Sequence, residues 1–326
     1  MVKRPAATVV MPTRGRAHLL ATTLRSVLRQ RDVDLEAVVV DDGDGPETAA
    51  LVDRIGDGRI RLIRNRGPRG ESGARNRGVA AAQREWVAFC DDDDLWAPGK
   101  LAAQLGAAAS AGAGWVYAGD VNVNAALQVL SGSPPPDPDD VVRLLPRYNA
   151  VPSGSSNVVV RADVLAQAGP FDTELGTCGD WDMWLRLART AGRPAWVCRP
   201  LVAYRFHPMN AAIDARRMVA EPRRLALRHG IHVDIAAIRR RAAWVALRGG
   251  RRREAIFHYA HAARHGDVRS LGRAAVALVH PFVGSDAMFS LLRRDLSWIA
   301  DAEQWLADLA ALPIGPGADV AERGTR

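Results

Sequence analysis

The first hundred residues alternate between short apolar runs and stretches with helical spacing. Each apolar run ends in polar or charged residues, and each intervening stretch places its aliphatic side chains on one face of a helix. Such alternation favours a largely parallel sheet with helices on its faces. The predicted strands occupy residues 6–11, 35–40, 59–64 and 85–90, and the predicted helices occupy 18–30, 74–84 and segments that begin near 46 and 98.

The middle of the chain is less regular. Residues 131–140 are rich in proline, serine and aspartate, which favours a loop. A helical pattern begins at Gly179, with tryptophan, methionine and leucine spaced for burial. Further strands are predicted at 114–123, 126–130, 155–161 and near 196–198.

From Arg216 onwards the pattern is helical. Residues 243–262 resemble a helical hairpin, and 286–312 form an amphipathic stretch. We therefore divide the chain into a first domain, a helical region and a disordered tail. The bounds are 1–215 for the domain (with two parts, about 1–120 and about 121–215), 216–312 for the helical region and 313–326 for the tail.

Polar clusters follow three of the predicted strands. Thr13 and Arg16 follow the first strand, Asp41 and Asp42 the second, and the run Asp91 to Asp94 the fourth. In sheets of this kind, ligands bind beyond the carboxyl ends of the strands. The three clusters are therefore expected to converge on one crevice.

The four consecutive aspartates have two interpretations. Mg2+ and Mn2+ prefer oxygen ligands, and several carboxylates in one turn can supply them. A solvated acidic turn at the start of the helix near Pro98 is the alternative. The cluster by itself leaves both open.

Charge is unevenly distributed. The net charge is +8, yet residues 216–270 alone contain 14 arginines and 4 carboxylates. This basic excess suggests docking at a membrane surface or on a partner protein. Nucleic-acid binding is the rival, but no nucleic-acid-binding motif accompanies the arginines, so we expect no nucleic acid.

Other features point to a reducing, cytoplasmic setting, with membrane contact only at the inner surface. Cys90, Cys178 and Cys198 show no metal-ligand spacing, which favours free thiols. The N-terminus lacks the apolar run of a signal peptide, and no apolar stretch reaches the length of a transmembrane helix.

Six short motifs, in order across residues 6–207, together resemble the family 2 glycosyltransferases of the GT-A fold. This resemblance implies a mixed sheet flanked by helices, with a C-terminal helical extension. The motifs are VVMPTRGR at 9–16, VVDDG at 39–43, GARNRG at 73–78, FCDDDD at 89–94, GDWD at 179–182 and YRFH at 204–207.

The resemblance implies a nucleoside diphosphate sugar as donor. Asp42, with Asp41, would recognise the nucleotide base. A carboxylate can accept a hydrogen bond from the imide N–H of uracil or thymine, which favours UDP or dTDP. An Asx turn at Asp-Gly is the alternative. Arg75 and Asn76 would contact phosphate at a helix start. The residues implied in the base and ribose pocket are Pro12, Thr13 and Arg16, for which helix capping and a solvated arginine are the alternatives.

The same resemblance implies Mn2+ or Mg2+ at the aspartate run. Asp93 would be the main ligand, and Asp91 and Asp92 would share ribose and metal contacts. His207 would meet the metal or the diphosphate, although a lone histidine can also be structural.

For catalysis, the resemblance implies Asp180 as the general base in an inverting transfer to an acceptor hydroxyl. The acceptor would be a saccharide, a lipid-linked sugar or a natural product. The family usually has an acidic residue where this chain has Gly179, so Asp182 is the fallback base. Capping of its helix is an alternative role for Asp180. Trp181 would line the acceptor site, and a sugar nucleotidyltransferase is the alternative enzyme.

Overall fold

The computed structural model describes residues 4–67, 69–207, 215–248, 250–279 and 296–311. The predicted tail at 313–326 and part of the predicted helical stretch at 286–312 lie outside these residues. The described strands are β1 (Ala6–Thr13), β2 (Asp34–Asp41), β3 (Ile60–Arg64), β4 (Trp86–Phe89), β5 (Leu95–Trp96), β6 (Trp115–Val123), β7 (Val129–Ser133), β8 (Val159–Arg161) and β9 (Ala195–Arg205).

Helices connect these strands and continue beyond the last of them. The described helices are α1 (Ala17–Leu28), α2 (Glu47–Ile55), α3 (Glu71–Ala81), α4 (Lys100–Ala111), α5 (Pro138–Leu144), α6 (Ala162–Ala168), α7 (Gly179–Thr190), α8 (Ala215–His229), α9 (Ile235–Arg248), α10 (Arg252–Arg264), α11 (Arg269–Val279) and α12 (Leu296–Ala310). None of the helices in these ranges is long and apolar enough to cross a membrane.

The strands form one mixed sheet in the order β3-β2-β1-β4-β8-β6-β9-β5, with β7 paired to β6. Strands β1 to β4 pair in parallel, as the pattern predicted. Strands β7 and β8 pair antiparallel with their neighbours, as does β5 with β9. Strand β6 pairs in parallel with β9. Parallel pairing thus prevails only among β1 to β4, and the mixed sheet implied by the resemblance is confirmed.

Three predictions in the middle of the chain were wrong in detail. The strand predicted at 126–130 is Val129–Ser133 and so extends into the predicted loop, whose far end is α5. The strand predicted at 155–161 is shorter, because a 3-10 turn at Gly154–Asn157 precedes β8. Both strands are set by antiparallel partners distant in sequence, which local spacing does not reveal.

The sheet is buried on both faces. The central strands carry fully buried aliphatic side chains on both sides, and α1 and α3 to α7 cover them. Helices α8 to α11 pack on one another, and α8 is tied to the first domain, where Glu221 accepts the backbone N–H groups of Thr177 and Cys178. Helix α12 packs instead on β7 and β9. The carboxyl ends of β1, β2 and β4 and the start of α7 are thereby fixed on a rigid frame.

Candidate active site

The turn formed by Asp91 to Asp94, called here the aspartate turn, follows β4 directly. The backbone N–H of Asp94 donates to the carbonyl of Asp91 at 3.3 Å. Asp92 and Asp94 are fully buried and Asp93 is 6% exposed. The solvated acidic turn considered above is therefore wrong, because buried carboxylates need specific partners.

Two side chains from the end of β1 supply some of these partners. The Thr13 hydroxyl donates to Asp92 Oδ2 at 2.6 Å. Arg16 places Nη2 at 2.5 Å from Asp92 Oδ1 and Nη1 at 3.0 Å from Asp93 Oδ2. Burial raises the pKa of Asp92 to about 7, although the charge of Arg16 opposes the shift. Helix capping by Thr13 and a solvated Arg16 were the alternatives, and neither occurs.

Two side chains from the end of β9 complete the enclosure of the turn. His207 Nε2 lies 2.9 Å from Asp93 Oδ2. Arg205 donates from Nε to the carbonyl of Asp93 at 2.6 Å and from its backbone N–H to Asp94 Oδ1 at 3.2 Å. Burial raises the pKa of Asp93, but the His207 hydrogen bond and the charge of Arg16 outweigh it, so the pKa is lowered overall. Asp93 is thus held as a carboxylate.

Asp93 and His207 have the donor chemistry for a divalent ion. Within the described ranges, no cluster of three or more histidine, cysteine, aspartate or glutamate side chains could hold a metal alone. Mg2+, however, is usually bound by one or two protein ligands together with substrate phosphates and water. An oxygen and a nitrogen donor 2.9 Å apart fit an ion that shares its coordination with a diphosphate.

Arg75 and Asn76 have different surroundings from those predicted. Arg75 is 3% exposed and donates to Asp91 Oδ1 at 2.7 Å, with Glu71 3.4 Å away. It therefore positions a carboxylate of the aspartate turn. Asn76 donates to the carbonyl of Phe171 at 2.8 Å and accepts its N–H at 2.7 Å. Both polar atoms of the Asn76 side chain thus bind the backbone of Phe171, which corrects the predicted phosphate contact of Asn76.

Asp41 and Asp42, which follow β2, make different hydrogen bonds. Asp41 Oδ1 accepts the Gly43 N–H at 2.9 Å, which is the Asx turn offered as the alternative. Asp42 is 4% exposed and accepts from Asn65 Nδ2 at 2.6 Å and from the Gly70 N–H at 2.8 Å. Its backbone N–H donates to the carbonyl of Thr13 at 2.8 Å, which joins this loop to the one after β1, next to Pro12. Asp42 therefore organises the loops around the predicted base pocket.

Asp180 lies in the first turn of α7. Cys178 is the N-cap residue, so the capping role considered for Asp180 is wrong. Its Oδ1 accepts the Trp181 N–H at 2.7 Å, and its Oδ2 accepts Asn149 Nδ2 at 2.9 Å. Gly154, at φ +49°, passes so close that an added Cβ would lie 2.6 Å from Oδ2. Burial raises the pKa of Asp180, and the charge of Arg75 partly offsets this.

A cavity of about 1050 Å³ opens beside Asp180. Asp120 on β6 also lines it and accepts from Ser153 Oγ at 2.6 Å. Trp181 contributes to the wall, although it is mostly buried and its indole N–H donates to the carbonyl of Leu145 at 2.7 Å. Asp182 does not line the cavity. Its carboxylate pairs with Arg186 and His229, which argues for a structural role in place of the fallback base.

Three residues of this site had no predicted role. Arg205 supports the aspartate turn, Asn149 contacts Asp180, and Asp120 faces the cavity. Asp120 had a detectable signal, because a carboxylate in the otherwise apolar run 115–121 is unusual unless it has a partner. Arg205 and Asn149 have none, since their partners are far away in sequence.

Comparison with known proteins supports the earlier resemblance. Residues 8–129 match the model of Glycosyl transferase family 2. The chain is 42% identical over 114 residues to the succinoglycan biosynthesis protein ExoO of Rhizobium meliloti, which is 34% of this chain and 32% of that protein. It is 34% identical over 97 residues to the Escherichia coli enzyme WfgD, named UDP-Glc:alpha-D-GlcNAc-diphosphoundecaprenol beta-1,3-glucosyltransferase, with 30% of this chain and 38% of that protein covered. The matches thus span about a third of each relative.

Solved structures support the fold. A mannosyltransferase from Pyrobaculum calidifontis, PcManGT, in complex with GDP-Man and Mn2+, superposes with a TM-score of 0.53 at 19% identity. The superposition covers 95% of this chain and 87% of that one. Together with the mixed sheet, this similarity identifies the GT-A type of architecture. Residues 8–129 are therefore similar to glycosyl transferase family 2, and the chain adopts a fold of the GT-A type.

Proposed function

We propose that this protein is an inverting, divalent-metal-dependent glycosyltransferase. It moves a sugar from a nucleoside diphosphate donor, UDP or dTDP being favoured, to an acceptor hydroxyl. One observation carries the proposal. Arg75 binds Asp91 of the aspartate turn, and its charge also acts on Asp180, and this proximity supports a donor site next to a candidate base.

Asp180 is the general base in this proposal. Glycosyl transfer requires the acceptor hydroxyl to lose its proton as its oxygen attacks the anomeric carbon. A partly buried carboxylate with a raised pKa accepts that proton more readily than a solvated one. Asn149 and the Trp181 N–H fix its orientation, and no nucleophile is assigned. This arrangement supports a single displacement with inversion.

Asp93 and His207 would hold the divalent ion, Mn2+ or Mg2+. When bound, such an ion neutralises the charge that develops on the leaving nucleoside diphosphate. Thr13, Arg16 and Arg205 keep the aspartate turn in place for this purpose. The Mn2+ in the PcManGT complex supports the assignment by analogy.

The acceptor is a saccharide, a lipid-linked sugar or a natural product. The name of the relative WfgD specifies a diphosphoundecaprenol-linked acceptor, which supports the lipid-linked class by analogy. We also propose that the basic helical region docks at an anionic membrane surface through α10 and α11. Phe257, Leu271 and Leu278 are each more than half exposed there, among many arginines.

Calorimetric titration with UDP, dTDP and GDP, each with and without Mn2+, tests the proposal. We expect UDP or dTDP to bind, more tightly with Mn2+. Asp93→Asn should remove most of the Mn2+-dependent gain, because it removes an anionic ligand. Asp57→Asn is the matched control, since Asp57 pairs only with the exposed Arg59. The proposal is falsified if no nucleoside diphosphate binds in any metal condition.

A further inference from the structure

The cavity beside Asp180 is bounded on another side by arginines from the helical region. Arg240 and Arg241 on α9 and Arg273 on α11 line it together with Asp120 and Asp180. The proposed transfer accounts for Asp180 alone among these charged groups. The proposed transfer therefore gives these arginines no role.

The three arginines are not equivalent. Arg240 Nη1 and Arg273 Nη1 lie 2.8 and 3.1 Å from the same oxygen, Asp267 Oδ2. No hydrogen bond or ion pair joins Arg241 to any residue that the structure describes. Its charge nevertheless acts on Asp120 and Asp180, where it opposes the effect of burial on both pKa values. Arg269 of α11 also lines the cavity, so four guanidinium groups stand against the carboxylates of Asp120, Asp180 and Asp267 and leave an excess of one positive charge.

The remaining wall is largely apolar and aromatic. Trp244 on α9 packs edge-to-face on Phe206, with ring centroids 4.8 Å apart, and both rings line the cavity. Aromatic surfaces of this kind accommodate the apolar faces of sugar rings or an alkyl chain. The cavity thus offers a base, an aromatic wall and a cationic end within about 1050 Å³.

We propose that Arg240, Arg241 and Arg273 form an anion subsite that binds a phosphate or diphosphate group of the acceptor. Guanidinium groups suit this role because their planar fork of donors matches phosphate oxygens in bidentate pairs. The donor diphosphate is not the occupant, since no residue of the aspartate turn lines this cavity. The inference rests on the proposed function, because Asp180 must then face the hydroxyl of the same molecule.

The phosphate could belong to a lipid-linked saccharide or to a water-soluble sugar phosphate. Three probes separate these sources: geranyl diphosphate, geraniol and inorganic pyrophosphate. Calorimetry in EDTA removes any metal-bridged binding at the aspartate turn. We expect both diphosphates to bind and geraniol not to bind. Tighter binding of geranyl diphosphate than of pyrophosphate would indicate a lipid-linked acceptor, and equal binding a water-soluble one.

Substitutions then locate the binding. Arg241→Ala should weaken diphosphate binding by about tenfold or more, the usual effect of losing a charge-assisted hydrogen bond. Arg241→Lys should recover part of the affinity, because it keeps the charge but not the fork. Arg253→Ala on α10 removes an equally exposed arginine that does not line the cavity, and should change nothing. Arg241 forms no ion pair with the residues that the structure describes, so thermal unfolding of its variants should stay close to that of the wild type.

Two results would overturn the inference. One is the absence of diphosphate binding by the wild-type protein. The other is an equal loss of affinity in the Arg241→Ala and Arg253→Ala variants, which would indicate general attraction to a basic surface. Failure of the proposed function gives a different result, since nucleoside diphosphates would then not bind with Mn2+ while geranyl diphosphate still bound through Arg241.

Discussion

At the scale of single residues, the protonation of each carboxylate in the site depends on its burial and on the groups that compensate for it. Asp93 is buried and Asp180 is partly buried, and their pKa values shift in opposite directions. The hydrogen bond from His207 and the charge of Arg16 keep Asp93 ionised. If both residues bind the proposed ion, the metal replaces the proton that His207 Nε2 shares with Asp93. Asp180 has weaker compensation and a raised pKa, as suits a base that must take up a proton.

Asp180→Asn should separate chemistry from binding. An amide cannot accept the acceptor proton, so we expect transfer to fall by about 100-fold to 10,000-fold. Binding of the nucleoside diphosphate should stay within a few fold of the wild type, because Asp180 does not contact the aspartate turn. Initial rates with a radiolabelled donor and calorimetry measure the two effects.

The comparison variant is Asp182→Asn. It should lower the free energy of unfolding, since Asp182 pairs with Arg186 and His229, and leave the rate per folded molecule nearly intact. A fully active Asp180→Asn variant, or an inactive but folded Asp182→Asn variant, would move the base to Asp182.

The pH dependence of the rate depends on Asn149. Its Nδ2 stabilises the charged form of Asp180, so Asn149→Ala should raise the pKa of Asp180 further. The base acts only when deprotonated. The acidic limb of kcat/KM should therefore move to higher pH, by about one pH unit for the loss of one hydrogen bond to a charged group.

The matched control is Asn122→Ala. Asn122 also lines the cavity, but its side chain donates to Ser131. Its acidic limb should coincide with that of the wild type. A limb in Asn149→Ala that stays in place, or moves to lower pH, would show that Asp180 does not set this limb.

The motifs predicted which residues belong to the site better than they predicted the contacts between these residues. Thr13, Arg16 and Asp92 meet because their motifs lie at the carboxyl ends of the adjacent parallel strands β1 and β4. Asp93 and His207 meet because β5, which follows the aspartate turn, pairs with the end of β9. The contact of Asn76 with Phe171 spans 95 residues, and only the folded chain brings the two together. The spacing of motifs along the sequence predicts which loops converge, but it does not predict the individual hydrogen bonds between them.

At the scale of elements, the predictable half of the sheet is the half built from βα units. There β1 to β4 pair in parallel with one another, so apolar runs and helical spacing suffice to locate them. Strand β8 inserts between β4 and β6, and its limits depend on both. Helix α12 was grouped with the helical region, yet Trp298 packs against Gly119 and Gly132 of the sheet.

Trp298→Ala tests whether α12 belongs to the folding unit of the sheet. The indole N–H donates to the carbonyl of Asp120 at 2.9 Å, and the ring is 7% exposed. The substitution should lower the free energy of unfolding by about 3–5 kcal/mol, as for other buried aromatic residues. Trp298→Phe keeps most of the packing and should cost less. A main urea transition with an unchanged midpoint would make α12 an independent appendage.

At the scale of the whole molecule, charge and apolar exposure coincide in the helical region. Residues 216–270 carry 14 arginines and 4 carboxylates. Leu271 and Leu278 on α11 are 56% and 57% exposed, and Phe257 on α10 is half exposed. A surface with both properties is typical of proteins that lie on anionic bilayers, because charge attracts the protein and apolar side chains insert.

Sedimentation with vesicles tests this docking. We expect the protein to pellet with phosphatidylserine-containing vesicles, much less with neutral ones, and less as salt rises, because salt screens exposed charges. The double variant Leu271→Ser and Leu278→Ser should reduce the bound fraction at fixed lipid, with a partition coefficient lower by about tenfold or more. Leu227→Ser is the control, since Leu227 is 86% exposed but lies on α8. Equal pelleting of all three proteins, or binding that ignores lipid charge, would rule out the membrane surface as the partner of these helices.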